Sequence, residues 1–364
     1  MTLGLGVVGL GTAGAAMVAA ARRRSDVRLA AVADLRAGAL GLSGLGVPVH
    51  PDLETLLGDD GVDAVHVATP TSLHLEHATS VLEAGRHVIV EKPVTADSQS
   101  AQALIELAAG SDRIVIVGHS ESFEPQVQAA AAAIQGGAIG EPRMVIAEKF
   151  TDWLRRPRLA EELDPSRGGG LIRRQGVHQI GVVRTLGDGD WAVTAAQTRR
   201  DPEREVAGSY AAWLTDGDGT AAFVTHDGIG RLSGEAAPEL DGPADERADK
   251  HRRSRRLLDR AIADGPPPRL GTGDRGSIVV LGTDGELTIA PGRVGLTAGG
   301  GGRAIELGRW PSGRDAVLDE LRAAVFGERP AVHDLARGAE DLRLCEEIDR
   351  IAGAYRPVGM RGDG

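Results

Sequence analysis

The chain has 364 residues, more than a single hydrophobic core usually supports, so two domains are expected. Its hydrophobic fraction of 41% excludes a wholly disordered protein, and no apolar run reaches the roughly 18 residues of a membrane span. The formal net charge of −11 argues against nucleic-acid or anionic-membrane partners. The single cysteine, Cys345, excludes an internal disulfide framework, and a cytoplasmic location is expected.

Residues 1–120 are predicted to form the first domain. Apolar strands alternate with helical stretches there, which is typical of βαβ units around a parallel sheet. The strands are continuously apolar, so a doubly wound sheet covered on both faces is expected, and the N-terminal segment is interpreted as a buried strand rather than a signal peptide. The predicted strands are Leu5–Val8, Leu29–Ala33, Ala64–Ala68, His87–Val90 and Ile114–Val117, and the predicted helices are Ala13–Arg24, Asp52–Leu57, Leu73–Ala84 and Ser98–Ala109.

Residues 121–364 are predicted to form a second, α+β domain. Its strands are longer and more alternating, which favours a largely antiparallel, open-faced sheet. The open face suggests a homo-oligomer, a dimer or tetramer, formed through this C-terminal sheet. Residues 234–275 are charged and rich in Gly and Pro, so they are interpreted as an insertion, and Gly299–Gly302 as a loop. The predicted strands are Arg143–Lys149, Ala192–Thr198, Gly208–Leu214, Thr220–His226, Ser277–Leu281 and Leu287–Ala290, and the predicted helices are Pro125–Gln135, Asp249–Ile262, Ser312–Phe326 and Asp334–Ala352.

A glycine-rich turn follows the first predicted strand and opens the first helix; it reads Gly9-Leu10-Gly11-Thr12-Ala13-Gly14. This GxGxxG pattern, placed between a strand and a helix, predicts a dinucleotide site. Gly9 would permit the tight turn, Gly11 the approach of the pyrophosphate and Gly14 close helix–strand packing. Thr12 and Ala13 begin the helix whose N-terminus would face the pyrophosphate. The alternative is a glycine-rich turn without a ligand.

Asp34 ends the second predicted strand, 25 residues after Gly9. An acidic residue at about this spacing accepts a hydrogen bond from the ribose 2′-hydroxyl, which favours NAD over NADP. Arg36 lies two residues further on and would tolerate a 2′-phosphate, so NADP stays open. NAD is therefore the expected cofactor.

Two further strand ends carry polar side chains at the sheet edge where open α/β folds bind ligands. Thr69, Pro70 and His74 follow the third predicted strand, and Glu91-Lys92-Pro93 follows the fourth. A lysine that ends a buried strand is costly when charged and unpaired, and desolvation lowers its pKa to a value that suits proton transfer. The alternative is a lysine that reaches solvent from the strand end.

Taken in order along the chain, these segments resemble the Gfo/Idh/MocA oxidoreductase family. The residues that carry the resemblance are Gly9–Gly14, Thr69-Pro70-Thr71 with His74, Glu91-Lys92-Pro93, Gly168-Gly169-Gly170 and Gly176-Val177-His178. The resemblance implies a Rossmann domain followed by an open-faced mixed sheet that bears the substrate site.

The resemblance also implies roles for individual residues. Lys92 matches the family's catalytic lysine, and His178 matches its second acid–base or substrate-orienting residue. Glu91 and Pro93 would shape the turn that presents Lys92 beneath the nicotinamide. The residues expected to line the cofactor pocket are Thr69, Pro70 and His74.

One position departs from the family pattern. Sugar and inositol dehydrogenases of this family usually carry an aspartate four residues before the histidine, and this chain has Arg174 there. On a helix Arg174 and His178 share a face, so a fixed cation replaces a proton acceptor. Because arginine forks bind carboxylates in a bidentate manner, Arg174 favours an anionic substrate.

Further arginines lie in the loop before the triple glycine: Arg155, Arg156, Arg158 and Arg167. Two interpretations stay open, an anion-binding cluster or a solvated loop in which the arginines pair with Glu161, Glu162 and Asp164. The candidate substrate-binding residues beside Arg174 are Gln175, Arg155, Arg156, Arg158 and Trp153.

The run Phe150–Arg158, with residues 161–165 and 174–179, resembles the phthalate 4,5-cis-dihydrodiol dehydrogenase subgroup, whose substrate is a carboxylated cyclohexadiene cis-diol. This resemblance implies that Lys92 removes a hydroxyl proton as hydride leaves the carbinol carbon for the nicotinamide. His178 would hydrogen-bond a hydroxyl, and Arg174 would anchor a carboxylate.

Two other functions stay open. The chain could be a dehydrogenase of a sugar, an inositol or a natural-product intermediate, or a catalytically silent dinucleotide-binding regulatory protein. Retention of both Lys92 and His178 argues against the regulator, because a sensor needs no proton-transfer pair. His74 and His77, three residues apart, are a weak metal signal that the family's cofactor pocket explains better, and the histidines outside the site show no metal-ligand spacing, so no metal is expected.

Overall fold

The computed structural model describes residues 2–156, 158–187, 189–230, 246–263, 275–306 and 313–354. The strands are β1 Leu3–Val8, β2 Val27–Ala33, β3 Val49–His50, β4 Ala64–Val67, β5 His87–Val90, β6 Val115–Val117, β7 Pro142–Phe150, β8 Ala192–Arg200, β9 Ala207–Thr215, β10 Ala221–Asp227, β11 Arg275–Gly282, β12 Gly285–Ala290, β13 Arg293–Ala298 and β14 Gly301–Glu306. The α-helices are α1 Thr12–Arg22, α2 Ala37–Leu40, α3 Leu53–Leu57, α4 His74–Glu83, α5 Ser98–Ala109, α6 Pro125–Gln135, α7 Ala160–Leu163, α8 Val177–Leu186, α9 Glu246–Ile262, α10 Gly313–Val325 and α11 Leu335–Ala354. Short 3-10 helices span Leu42–Leu45, Thr71–Leu73 and Pro165–Arg167, and a π-helical turn spans Ile172–Gly176.

The first sheet has six strands in the order β3-β2-β1-β4-β5-β6, and every neighbouring pair is parallel. This is the Rossmann order, so the predicted parallel sheet is confirmed. Strands β1 and β4 are buried along their whole length, because a hydrophobic core lies on each face of the sheet. The strand order reverses between β1 and β4, so a cleft is expected beside their carboxyl ends, at Val8 and Val67.

The second sheet has eight strands in the order β14-β13-β12-β11-β7-β10-β9-β8. Only β7 and β10 pair in parallel within it, so the predicted largely antiparallel sheet is confirmed. Along β9 and β10 buried residues alternate with more exposed ones, because α6, α8 and α11 pack on one face. On the opposite, open face Trp213, Phe223 and Ile146 are neighbours in register.

Two strands of this sheet, β13 and β14, lie outside the elements predicted from the sequence. Gly299 and Gly300 have φ angles of +59° and +76° and form the turn between the two strands. Gly301 and Gly302 belong to β14, so the predicted loop at Gly299–Gly302 is correct only for its first half. Strand β14 pairs with β13 through backbone N–H and C=O groups, which glycines also carry. Glycines have no side chains to form an alternating pattern, so this pattern could not predict the strand.

Helices α9 and α10 contribute to the core of the first sheet, although both come late in the chain. Leu257 and Leu258 of α9 and Leu318 of α10 are buried in the same cluster as Met17 of α1. A boundary between the two domains at residue 120 stays our prediction. Helices α9 and α10 follow this boundary in sequence but pack against the first sheet.

Much of the predicted charged insertion, residues 234–275, falls on residues 231–245 and 264–274, which lie outside the described part of the chain. The helix predicted within it at Asp249–Ile262 is found as Glu246–Ile262. Ser312, the first residue of the predicted helix Ser312–Phe326, also lies outside, and the helix is described from Gly313. Within the described ranges, no helix combines the length and the apolar character needed to cross a membrane.

Candidate active site

The glycine turn between β1 and α1 has the shape that a dinucleotide requires. Gly9 has a φ angle of +86°, and a Cβ there would lie 2.6 Å from the carbonyl oxygen of Ala68, after β4. A Cβ on Gly14 would overlap the carbonyl oxygen of Gly9, whereas a Cβ on Gly11 would meet no atom within 4 Å. The space above Gly11 is therefore open at the N-terminus of α1, where Thr12 is exposed and Ala13 half-buried. These residues fit a pyrophosphate, which free N–H groups and the helix dipole would attract.

Asp34 lies directly beside this turn. Its Oδ2 accepts a hydrogen bond of 2.7 Å from the backbone N–H of Leu10, and its Oδ1 accepts one of 2.8 Å from Nε of Arg36. Burial acts to raise the pKa of this carboxyl, but the hydrogen bonds from Arg36 and Leu10 outweigh it and hold the pKa of Asp34 below its usual value. A charged carboxylate thus stands at the end of β2, with the Arg36 guanidinium next to it.

Lys92 leaves the end of β5 and is held by the second domain. Its Nζ donates a hydrogen bond of 2.9 Å to the carbonyl oxygen of Arg174 in the π-helical turn. Burial, aided by the charge of Arg174, lowers the pKa of Lys92 to about 7. A substantial fraction of Lys92 is therefore a neutral amine near pH 7, able to accept a proton.

Glu91, the residue before Lys92, is buried and contacts residues of α10 and β4. Its Oε1 lies 2.6 Å from Nη1 of Arg314 on α10 and 3.2 Å from Nε2 of His66 on β4. Burial acts to raise the pKa of Glu91, but the charge of Arg314 and the contact with His66 hold it well below the usual value. The residue preceding the lysine is thus a buried, charged anchor that fixes the strand end.

His74 joins the loops that follow β4 and β5. Its Nδ1 lies 2.8 Å from the carbonyl oxygen of Pro93, and its Nε2 lies 3.0 Å from that of Thr69. Burial lowers the pKa of His74 to about 4, so the ring is neutral at pH 7 and its one N–H is donated to one of these two carbonyl oxygens. Pro70 is exposed at the cleft edge beside Thr69. The ring of His74 therefore lies between two of the loops predicted to line the cofactor pocket.

The triple glycine brings the second domain against these loops. A Cβ on Gly168, whose φ angle is +73°, would lie 2.6 Å from Cγ2 of Thr71. A Cβ on Gly169 would lie 2.6 Å from the carbonyl oxygen of Asp164. Glycine is required at both positions, because Thr71 and the Asp164 carbonyl group lie too close to the backbone of the triple glycine to leave room for a side chain. The close passage leads directly into the turn that carries Arg174.

His178 follows this turn on α8. The sequence predicts an ordinary helix here, whereas the structure has a π-helical turn over Ile172–Gly176 before α8 begins, a feature often found at functional sites. The His178 side chain is buried, and its Nδ1 lies 3.7 Å from Oε1 of Glu121. Burial and the charges of Lys92 and Lys149 hold the pKa of His178 well below its usual value. The imidazole is neutral and close enough to Lys92 to be affected by its charge.

Two family models match this chain. The "Oxidoreductase family, NAD-binding Rossmann fold" model covers residues 3–119, and the "GFO/IDH/MocA C-terminal domain" model covers residues 127–228. The chain belongs to the Gfo/Idh/MocA oxidoreductase family. The predicted family, the Rossmann fold and the NAD cofactor are thereby confirmed, and the alternative of a catalytically silent regulator is not supported.

Similar proteins act on several kinds of alcohol. A 1-carboxy-3-chloro-3,4-dihydroxycyclohexa-1,5-diene dehydrogenase of Comamonas testosteroni is 29% identical over 98% of this chain and 96% of its own length. An inositol 2-dehydrogenase of Rhizobium meliloti is 30% identical, but over only 54% of this chain and 58% of its own length. A solved structure from Bordetella bronchiseptica, named as a dehydrogenase, has a TM-score of 0.84 at 29% identity and covers 98% of this chain and 99% of its own.

Arg174 is the position where this Gfo/Idh/MocA member departs from the aspartate expected in sugar dehydrogenases. Its Nη1 donates a hydrogen bond of 3.3 Å to Oγ1 of Thr71, and its Nη2 lies 3.5 Å from Oε1 of the buried Glu162. The Arg174 side chain stays 25% exposed. Gln175, the next residue, is half-buried in the same turn. A partly exposed guanidinium that carries five N–H donors thus lies at the site, in contact with Thr71 and Glu162.

The other candidate substrate residues occupy the loop after β7. Arg158 lies over the ring of the buried Trp153, 4.6 Å from the ring centroid, and its Nη1 is 3.7 Å from Glu162 Oε1. Arg156 pairs with Asp152. Nη1 of Arg155 is 3.4 Å from both carboxylate oxygens of Glu203. The structure therefore brings Arg158 and Arg174 to one carboxylate and directs Arg155 and Arg156 to others.

Two functional candidates were not predicted from the sequence: Glu121 and Lys149. Lys149 Nζ donates to both carboxylate oxygens of Glu121, at 2.7 and 2.9 Å, and Glu121 also faces His178. Both residues lie near strand ends, Glu121 after β6 and Lys149 within β7, and this placement was the available signal. Their meeting depends on how the second sheet sits against β6, which no local pattern encodes.

His119, which lies two residues before Glu121, is also part of this region. Its ring is 6.4 Å from that of His178 and 6.0 Å from that of His333, and its Nε2 is 3.5 Å from Oδ2 of Asp341. Burial and the charge of Lys92 lower the pKa of His119, whereas Asp341 opposes this shift. Neutral imidazoles thus line the inner wall of the site behind His178.

Proposed function

We propose that this oxidoreductase oxidises a cyclic cis-diol that carries a carboxylate. The observation that supports the proposal most directly is the position of Arg174: its backbone oxygen holds Lys92 at 2.9 Å, and its partly exposed guanidinium lies beside Thr71. A fixed cation next to the proton acceptor favours an anionic substrate over a neutral sugar. The Comamonas relative, whose name specifies a carboxylated dihydroxycyclohexadiene, supports the same substrate class.

Lys92 is the proton acceptor in this proposal. Because its pKa is about 7, Lys92 is partly a neutral amine near pH 7, and the Arg174 carbonyl oxygen orients its Nζ. NAD, when bound, supplies the hydride acceptor. The hydroxyl proton passes to Lys92 Nζ as the substrate C–H bond breaks, leaving a ketone that can tautomerise to an aromatic diol.

His178 and Arg174 orient the substrate. The neutral imidazole of His178 hydrogen-bonds the reacting or the neighbouring hydroxyl, and Arg174 anchors the carboxylate. Gln175 follows Arg174 directly, and Arg158, which lies over Trp153, shares the Glu162 carboxylate with it, while Arg155 and Arg156 are kept as further candidates from the same loop. Holding both ends of the substrate places its carbinol carbon against the cofactor, which accounts for much of the rate enhancement.

The cofactor residues follow from the glycine turn and the three strand ends. The pyrophosphate is held by the turn from Gly9 to Gly14, and the ribose by Asp34. Arg36 already contacts both oxygens of Asp34, so the carboxylate is charged, and a ribose hydroxyl would replace one of the Arg36 donors on it. Thr69, Pro70 and the Glu91-Lys92-Pro93 segment border the nicotinamide end.

The enzyme is further proposed to act as a homo-oligomer, a dimer or tetramer, assembled through the second sheet. Trp213 and Phe223 are neighbours in register on its open face, and the Trp213 side chain is 36% exposed. A contiguous apolar face of this kind typically marks an interaction surface.

The experiment that tests the substrate class is a panel of alcohols monitored by NADH absorbance. It compares a carboxylated cyclohexadiene cis-diol, the same diol without the carboxylate, myo-inositol and a monosaccharide. We expect turnover to be fastest on the carboxylated diol, and Arg174→Ala to raise its KM far more than that of the uncharged diol. Preferential turnover of inositol would instead favour the substrate class of the Rhizobium relative, and equal effects of Arg174→Ala on both diols would refute the carboxylate anchor.

A further inference from the structure

We infer that Glu121 is the carboxylate that positions the His178 imidazole, and that Lys149 holds Glu121 in place. The inference deepens the proposed function, because it rests on His178 contacting a substrate hydroxyl. In relatives with an aspartate at the position of Arg174, a carboxylate would come from the same helix as the histidine. Here the carboxylate comes from the loop after β6 instead.

The geometry identifies one ring nitrogen of His178. Nδ1 is buried without a hydrogen-bond partner among the described residues, and Oε1 of Glu121 faces it at 3.7 Å. A buried N–H requires an acceptor, since burial removes the water that would otherwise accept from it. Catalytic hydrogen bonds are often long before ligands bind and tighten in the complex, so 3.7 Å is a distance from which this pair can close. Nε2 is then the nitrogen available to the substrate.

Lys149 restricts where the Glu121 carboxylate can lie. Its Nζ donates to both carboxylate oxygens of Glu121, and the Lys149 side chain is only 15% exposed. The β7 backbone that carries Lys149 is fixed, because Lys149 pairs with His226 of β10 on one side and with Gly276 of β11 on the other. Glu121 itself is 37% exposed and would move freely in water without this partner. The lysine converts a mobile carboxylate into a fixed acceptor.

The charges around His178 decide what the carboxylate does. Burial, Lys92, Lys149 and His119 all disfavour imidazolium, and Glu91 acts in the opposite direction. The ring is therefore neutral and carries one N–H and one lone pair. A carboxylate at Nδ1 selects the tautomer that is protonated there, which leaves Nε2 as an acceptor for a substrate O–H. Glu121 is thus a positioning residue that acts through His178.

The first test measures the tautomer directly and does not depend on turnover. Nitrogen-15 NMR of the NAD-loaded protein, with the His178 signals assigned from His178→Gln, distinguishes Nδ1–H from Nε2–H. We expect Nδ1–H in the wild type and a shift towards Nε2–H in Glu121→Ala. The matched control is Glu124→Ala, which removes a carboxylate three residues away that contacts the Gly313 N–H instead. A wild-type ring protonated at Nε2, or a tautomer unchanged by Glu121→Ala, overturns the inference.

The second test is a double-mutant cycle on the carboxylated diol. Glu121→Ala should lower kcat by about 10–100-fold with NAD affinity unchanged, and Glu121→Asp should recover part of that loss. In the His178→Gln background, Glu121→Ala should cost nothing further, because its effect passes through the imidazole. Equal losses in both backgrounds overturn the positioning role. If the wild type turns over none of the diols, the proposed function fails, while the NMR result still decides the role of Glu121.

Discussion

The pKa of Lys92 leads to the sharpest kinetic prediction. An ordinary lysine, with a pKa of 10.5, has about one neutral molecule in three thousand at pH 7. With a pKa of about 7, half of Lys92 is neutral at that pH, which increases the population of the base by roughly a thousandfold. Because the base must be neutral to accept a proton, kcat/KM should rise with pH, level off above about pH 7, and fall tenfold per pH unit well below it.

Removing a neighbouring charge should move this pH dependence in a known direction. The Arg174 guanidinium lowers the pKa of Lys92, so Arg174→Met should raise that pKa and shift the acidic limb of the profile to higher pH. The matched control is Arg173→Met, because Arg173 lies in the same turn but pairs with Glu346 and Asp349 on α11 at 3.4 and 3.3 Å. Its loss removes the same charge from the protein and should leave the acidic limb in place.

The assay is the initial rate of NADH formation on the uncharged cis-diol, measured at pH values on both sides of 7. This substrate avoids any change in carboxylate binding when Arg174 is replaced. Lys92→Ala serves as the reference and should lose at least about a hundredfold in kcat at all these pH values while still binding NAD. An acidic limb that is unmoved in Arg174→Met, or that moves equally in Arg173→Met, would refute the electrostatic origin of the shift. Near-normal turnover by Lys92→Ala would refute the role of Lys92 itself.

Three other substitutions test the cofactor turn, the ribose contact and the open sheet face. Gly14→Ala places a methyl group against the Gly9 carbonyl, so it should destabilise the protein by about 1–3 kcal/mol and weaken NAD binding. Thermal unfolding with and without NAD measures both effects, and an increase in melting temperature on adding NAD that equals that of the wild type would contradict this. Asp34→Ala should raise the KM for NAD about tenfold or more and lower that for NADP, since Arg36 loses its partner; an unchanged cofactor preference would count against the ribose contact. Phe223→Glu should reduce the solution mass seen by sedimentation, and a mass equal to that of the wild type would show that the open face is not the interface.

Elements whose limits depend on residues within one or two turns could be predicted from the sequence. Helix α5 is found at its predicted bounds, Ser98–Ala109, because Asp97 caps it by accepting a 2.7 Å hydrogen bond from the Ser100 N–H and Gly110 follows its last residue. The glycine turn is predictable for the same reason, since the positive φ of Gly9 and the close approach at Gly14 are local requirements. Continuous apolar strands alternating with helices then specify a parallel sheet.

How the candidate site residues meet depends on the packing of the whole fold. Lys92 and the carbonyl oxygen of Arg174 are 82 residues apart in sequence, and the π-helical turn that presents this oxygen replaces the ordinary helix expected there. The partner of Arg155 is Glu203, 48 residues away, rather than an acidic residue of its own loop. Helical periodicity and capping act over a few residues, whereas these contacts depend on how two independently predictable sheets pack. The packing also brings Lys149 to Glu121, and so gives His178 a carboxylate that its own helix does not contain.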